Sequence, residues 1–146
     1  TRGAALMEAD RERWGVDNAP QALDAFLELD HRMKEIVTAW QLRVVDGQQV
    51  LNDHTDATYD ARVLTEFAAL HRDAAAWLEP LGGGLPRLGD YSARLANAAS
   101  RVAAGEHAHI ASPRLDSYHS IWFELHEDLI LLAGRTREDE VAAGRA

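Results

Sequence analysis

Residues 112–133, SPRLDSYHSIWFELHEDLILLA, restrict the fold more than any other part of the chain. Ser112 followed by Pro113 is an N-cap and first-turn signal, and Gly134 is a stop. The residues between them fit a helix of about six turns. On its wheel Tyr118, Trp122, Leu125, Leu129 and Leu132 make one apolar stripe, with Phe123 and Ile130 in a second beside it. Only Glu124, Glu127 and Asp128 form a wet face. A helix apolar around most of its circumference belongs in the middle of a bundle. His119 and His126 fall within the apolar arc, so their imidazoles are expected to point inward.

The partners of that helix are read from the rest of the periodicity. Residues 4–14 form a short charged helix whose large apolar groups are Leu6, Met7 and Trp14, and residues 15–17 break it. Asn18 caps a second helix, with Pro20 in its first turn and Gln21 completing a capping box. It runs over residues 19–45, burying Leu23, Phe26, Met33, Val37, Trp40 and Val44, and Asp46-Gly47 ends it. Asp30 falls inside that stripe and Gln41 close to its edge. An acid there is costly unless paired or hydrogen-bonded, and the structural reading is a buried acid bonded to a neighbouring helix. Residues 52–60, NDHTDATYD, lack the glycine and terminal glutamate of a calcium loop; a helix N-cap at Thr55 or Asp56 explains most of them. A third helix over residues 57–78 buries Tyr59, Val63, Phe67, Leu70, Ala74 and Trp77, with His71 on its flank. Gly82, Gly83 and Gly84 read as a flexible joint, not a phosphate loop, because no Lys-Ser/Thr follows and no strand precedes them. Asp90 caps a fourth helix over residues 91–104, with Tyr91, Leu95, Ala98 and Val102 inward and Gly105 at its end. His107 and His109 lie in the following loop and read as solvated. Thr136 with Asp139 suggests a last capped turn over residues 137–143. No strand-period segment of useful length and no internal repeat is seen. The expected fold is all-α, an antiparallel bundle of about five helices with the 112–133 helix central.

Composition narrows the function classes. At 146 residues the chain fits one domain and hides roughly 70% of its unfolded surface without staples. It has no cysteine, which removes disulfides, thiolate metal sites and cysteine nucleophiles, and suits a cytoplasmic location. No apolar run reaches the ~18 residues of a membrane span, and no signal-peptide core is present. A net charge of -9, from 24 acidic and 15 scattered basic side chains, repels nucleic-acid backbones.

The chemistry is then weighed by spacing. His119 and His126 stand about 10.5 Å apart along one helix, too far to share a metal. HExxH and paired Glu-x-x-His motifs are absent, and Asp116 with His119 is a lone i,i+3 pair near a helix start. No metal and no cofactor are expected. Ser117 and Ser120 point to faces other than that of His119, and no GxSxG elbow exists, so no catalytic residue is assigned. A histidine general base paired with Asp30 or Glu124 remains open. The alternative is a small-molecule pocket between helices, with Asp30, Trp40, Gln41, Tyr118, His119, Trp122 and His126 supplying aromatic walls and polar anchors.

The run DSYHSIWFELHEDLILLAGRTREDE, with AWQLR at residues 39–43 and DHTDATYDA at residues 53–61, resembles the helical C-terminal region of actinobacterial winged-helix, MarR-like regulatory proteins. Similar regions stand beside phosphoenolpyruvate-utilising swivel domains. The opening TRGAALMEADRERW resembles the end of a winged helix leading into a linking helix. The resemblance covers nearly the whole chain and carries no activity. It implies an effector and association domain, with Trp40, Gln41, Asp116, Tyr118, His119, Trp122, Glu124 and His126 as the matching polar-aromatic set. Residues 1–17 would be the linking helix of an upstream winged-helix domain and residues 18–146 the bundle. The expected function is the ligand-sensing and association part of a transcription regulator. It would bind a small-molecule effector and form a homodimer, and would reach DNA only through the upstream domain. The alternatives are a cofactor-free enzyme with a histidine general base and a dimerisation module without ligand.

Overall fold

The computed structural model describes residues 2–133, with side chains described from Ala19 onward. The described residues form helix α1 (Arg2–Gln41), strands β1 (Leu42–Val45) and β2 (Gln48–Leu51), helix α2 (Ala57–Gly84) and helix α3 (Pro86–Ala103). A short 3-10 turn, His107–His109, precedes helix α4 (Tyr118–Leu132). The chain is therefore mostly helical, with four α-helices and a small antiparallel sheet among the described residues, and it departs from the expected five-helix bundle. The last capped turn, over residues 137–143, lies outside the described residues.

Helix α1 is continuous through residues 15–17, where a break was expected. It stops at Gln41, short of Val45, because its last carbonyls are taken by the segment that follows β2. The Tyr59 hydroxyl donates to Ala39 O at 2.8 Å, Asn52 Nδ2 to Trp40 O at 2.9 Å, and the Asn52 backbone N–H to Gln41 O at 2.8 Å. These donors satisfy the carbonyls that an ending helix leaves open. Asp46 and Gly47 then take φ of 52° and 77°, the left-handed pair that a two-residue hairpin needs, and pair Leu42 with Leu51 through Val45 with Gln48. Val44, expected in the core of a helix, is an exposed strand residue.

The core joins all four helices: Leu23, Phe26 and Met33 from α1, Val63, Phe67 and Leu70 from α2, Leu88 and Leu95 from α3, and Ile121, Leu125 and Leu129 from α4. Asp56 is the N-cap of α2, accepting from the Tyr59 N–H at 3.0 Å. The glycine run is not a joint. Gly82 to Gly84 finish α2, a single residue, Leu85, turns the chain, and Pro86 opens α3 upstream of the expected Asp90 cap. Gly82 lies against the backbone of Gly89, so the two helices touch where neither has a side chain.

Helix α4 starts at Tyr118, capped by the Ser117 hydroxyl, and the residues from Pro113 to Asp116 are turns. It bonds each of the other helices: Trp122 to Asp30 of α1, Tyr118 to His71 of α2, and Asp128 to Arg87 and Tyr91 of α3. Asp128 was expected on the wet face but is buried. Arg87 holds it through two 2.9 Å hydrogen bonds and the Tyr91 hydroxyl donates to it. Burial, and then that bond to a carboxylate, pushes the Tyr91 phenol up to about 12. Phe123, expected in an apolar stripe, is 50% exposed.

Candidate functional site

The seven residues expected to form one pocket separate into three places. Asp30, Tyr118, Trp122 and His126 are buried together. Trp122 Nε1 donates to Asp30 Oδ1 at 3.1 Å, and Lys34 Nζ lies 3.0 Å from Asp30 Oδ2. Phe26 stacks on Trp122 and on His126 with centroids 4.7 Å apart in both pairs, and Tyr118 stacks on Trp122 at 6.1 Å. Trp40 and Gln41 lie elsewhere, at the base of the hairpin, where Trp40 packs against His54 and His107. His119 is a correction: its ring is exposed, in an open surface depression with Pro113, Asp116 and Phe123. His119 shares a face of α4 with His126, seven residues on, but Phe26 of α1 covers that face at His126, whereas in the first turn it opens onto the depression.

A better-formed cavity opens between α2 and α3. It has a volume of about 550 Å³, with walls of Leu64, Phe67, Ala68, Ala99, Val102 and Ala103. Thr65, His71, Arg72 and His107 are its polar groups. Ala68 of α2 and Ala99 and Ala103 of α3 line it with short side chains, which leave volume between the two helices. This combination of apolar walls and a few polar groups is that of a small-molecule site.

His71 links this cavity to the central helix. Its Nδ1 lies 3.0 Å from the Tyr118 hydroxyl, and the two rings meet edge to face. Burial lowers the imidazole below its ordinary pKa and raises the Tyr118 phenol far above the normal range. A neutral ring and a protonated phenol therefore share one hydrogen bond. From Tyr118 the contacts run on through Trp122 to Asp30 of α1.

His107 lines this cavity and also a second pocket of about 480 Å³ beside the hairpin, shared with Trp40, Gln41, Asn52 and His54. The two loop histidines are thus only partly open to water, and Nδ1 of His109 is buried without a hydrogen-bond partner. No group of three or more metal-binding side chains is assembled among the described residues. Nor, among them, is any helix long and apolar enough to cross a membrane. Sequence reasoning missed the α2/α3 cavity because alanines report helix propensity, not empty space. The one signal was the number of alanines in α3. No protein-family model, curated protein or solved structure matches this chain.

Proposed function

We propose that this chain is the effector-binding and association domain of a transcription regulator, and that its effector, a small and largely apolar molecule, occupies the cavity between α2 and α3. The observation that carries this reading is the cavity itself, of about 550 Å³ with mostly apolar walls and with His71 bonded to the central helix. Arg72 and His107 at its edge provide polar anchors. An occupant that prefers one spacing of α2 and α3 shifts the population of that spacing, and His71, Tyr118, Trp122 and Asp30 pass the change to α1. Helix α1 is the element that would join the bundle to an upstream winged helix, as its resemblance to a linking helix implies. The acidic surface supports a part that leaves DNA to that other domain. The working unit is proposed to be a cytoplasmic homodimer.

The test uses N-phenyl-1-naphthylamine, a neutral apolar fluorophore of suitable size. Its fluorescence should rise saturably with added protein, and it should raise the melting temperature in proportion to occupancy. Ala99→Leu places a branched side chain in the cavity. It should remove both responses while the protein stays folded. Equal binding by Ala99→Leu would sink the assignment.

A further inference from the structure

The segment between β2 and α2 holds a cluster that the effector site does not use. Asn52 is buried, and both hydrogens on its Nδ2 are spent, one on Trp40 O and one on Asp60 Oδ1, each at 2.9 Å. Its Oδ1 accepts from the His54 backbone N–H at 3.0 Å. Nδ2 also lies 3.3 Å from His54 Nδ1, but it has no third hydrogen to give. The 2.9 Å contact between His54 Nδ1 and Asp60 Oδ2 must therefore be made by a hydrogen on the ring. In the neutral imidazole this fixes the Nδ1–H tautomer and leaves a lone pair on Nε2.

Two further restraints act on the same residue. The Trp40 ring packs over it with centroids 4.4 Å apart. The backbone of His54 has φ of 61°, a left-handed conformation uncommon outside glycine that persists where surrounding contacts over-determine it. One imidazole is thus fixed in tautomer, ring plane and backbone, at the wall of a pocket that contains no Asp, Glu, Lys or Arg.

We propose that His54 is a general base in this pocket and that the activity it supports is the hydrolysis of small uncharged carboxylic esters. Nε2 takes a proton from water as the water oxygen bonds to the carbonyl carbon. Asp60, a positioning residue, holds the tautomer and stabilises the imidazolium. Gln41 lines the same pocket, and its carboxamide N–H is assigned as the donor for the carbonyl oxygen as it becomes negative. The bond from the carbonyl carbon to the leaving oxygen then breaks, and the proton on Nε2 passes to that oxygen. Water and ester become acid and alcohol, with nothing else consumed. Ser112 also lines the pocket, but its hydroxyl accepts from the Arg114 N–H and is not hydrogen-bonded to His54, so the attacking oxygen is water's.

The experiment measures 4-nitrophenyl acetate hydrolysis by the full chain. Saturable turnover is expected. His54→Ala should lose about a hundredfold in kcat. Asp60→Asn should lower kcat by about tenfold with KM retained, which a merely structural loss would not do. His119→Ala, which removes an exposed imidazole outside the pocket, should change nothing. Circular dichroism checks that each variant folds. Long-range 1H–15N correlations on the wild-type chain read the tautomer directly and do not depend on any variant. A rate no greater than free imidazole gives, full activity in His54→Ala, or an Nε2–H tautomer at His54 would each overturn the proposal.

Discussion

A carboxylate buried among aromatic rings has to be matched, and Asp30 is matched twice. One oxygen accepts from the Trp122 indole and the other faces the Lys34 ammonium one turn along α1. A hydrogen bond to a charged group contributes about 2 kcal/mol, whereas the Lys34 ammonium is 59% exposed and its attraction is screened by water, so Trp122 is the partner that fixes Asp30. His71 shows the opposite case, a titratable group that burial keeps neutral. Its pKa in the folded chain lies below the ordinary 6.5. The folded state then binds fewer protons than the unfolded state as pH drops, so the contribution is complete above about pH 6.5 and is lost as pH falls through the lowered value. Thermal denaturation at a series of pH values should show the melting temperature falling on acidification. The fall should be smaller in His71→Gln, which has no imidazole to charge at that position. A slope unchanged by the substitution would mean that the acid sensitivity arises elsewhere. At this scale the sequence identified Asp30, Tyr118, Trp122 and His126 as inward-facing, and the structure buries all four. It misplaced His119, because periodicity gives the face of a helix and not how far along the helix that face is covered: Phe26 lies over it at His126, and it is open at His119.

Among the elements, the legible features were those that hydrophobic period alone decides. The inward faces of α2 and α3 were read correctly residue by residue, from Val63 to Ala74 and from Tyr91 to Val102. Boundaries decided by tertiary partners were not legible. Val44 and Val45 continue the helical pattern of α1, and Asp46-Gly47 suits either a helix end or a hairpin turn. The choice falls to Asn52 and Tyr59, which cap α1 from beyond the hairpin. The glycines of α2 are the other example, since close backbone contact leaves no mark on a hydrophobic pattern. A Cβ at Gly82 would stand 3.0 Å from Gly89 Cα and 3.1 Å from its nitrogen, while one at Gly83 would meet nothing within 4 Å. Alanine in place of a helical glycine gains about 1 kcal/mol, but overpacking against backbone costs about 2 kcal/mol. Gly82→Ala should therefore destabilise the chain by about 1 kcal/mol, and Gly83→Ala should stabilise it by up to about 1 kcal/mol, both read from urea denaturation midpoints. Equal and favourable effects would show that the contact between α2 and α3 yields without cost.

For the molecule as a whole, the proposed function depends on whether the α2/α3 cavity and α1 respond together. No residue lining the cavity belongs to α1. The connection is a chain of four side chains: His71 on α2, Tyr118 and Trp122 on α4, and Asp30 on α1. Its first link is one hydrogen bond, about 1 kcal/mol, and its middle link is ring stacking of a similar size. A coupling carried this way is limited to that order, which is the usual size of an allosteric coupling energy and corresponds to about a fivefold change in affinity. Contiguity by itself does not prove coupling, so both ends have to be measured. Hydrogen exchange with N-phenyl-1-naphthylamine bound should slow at the walls of the cavity and also along α1 around Asp30. Tyr118→Phe removes the hydroxyl and keeps the ring. In that variant the cavity walls should still gain protection, and α1 should no longer follow. If α1 stays unchanged in the wild-type chain while the walls gain protection, the cavity binds without signalling. If α1 responds equally in both chains, the signal travels through the packed core and not through His71 and Tyr118.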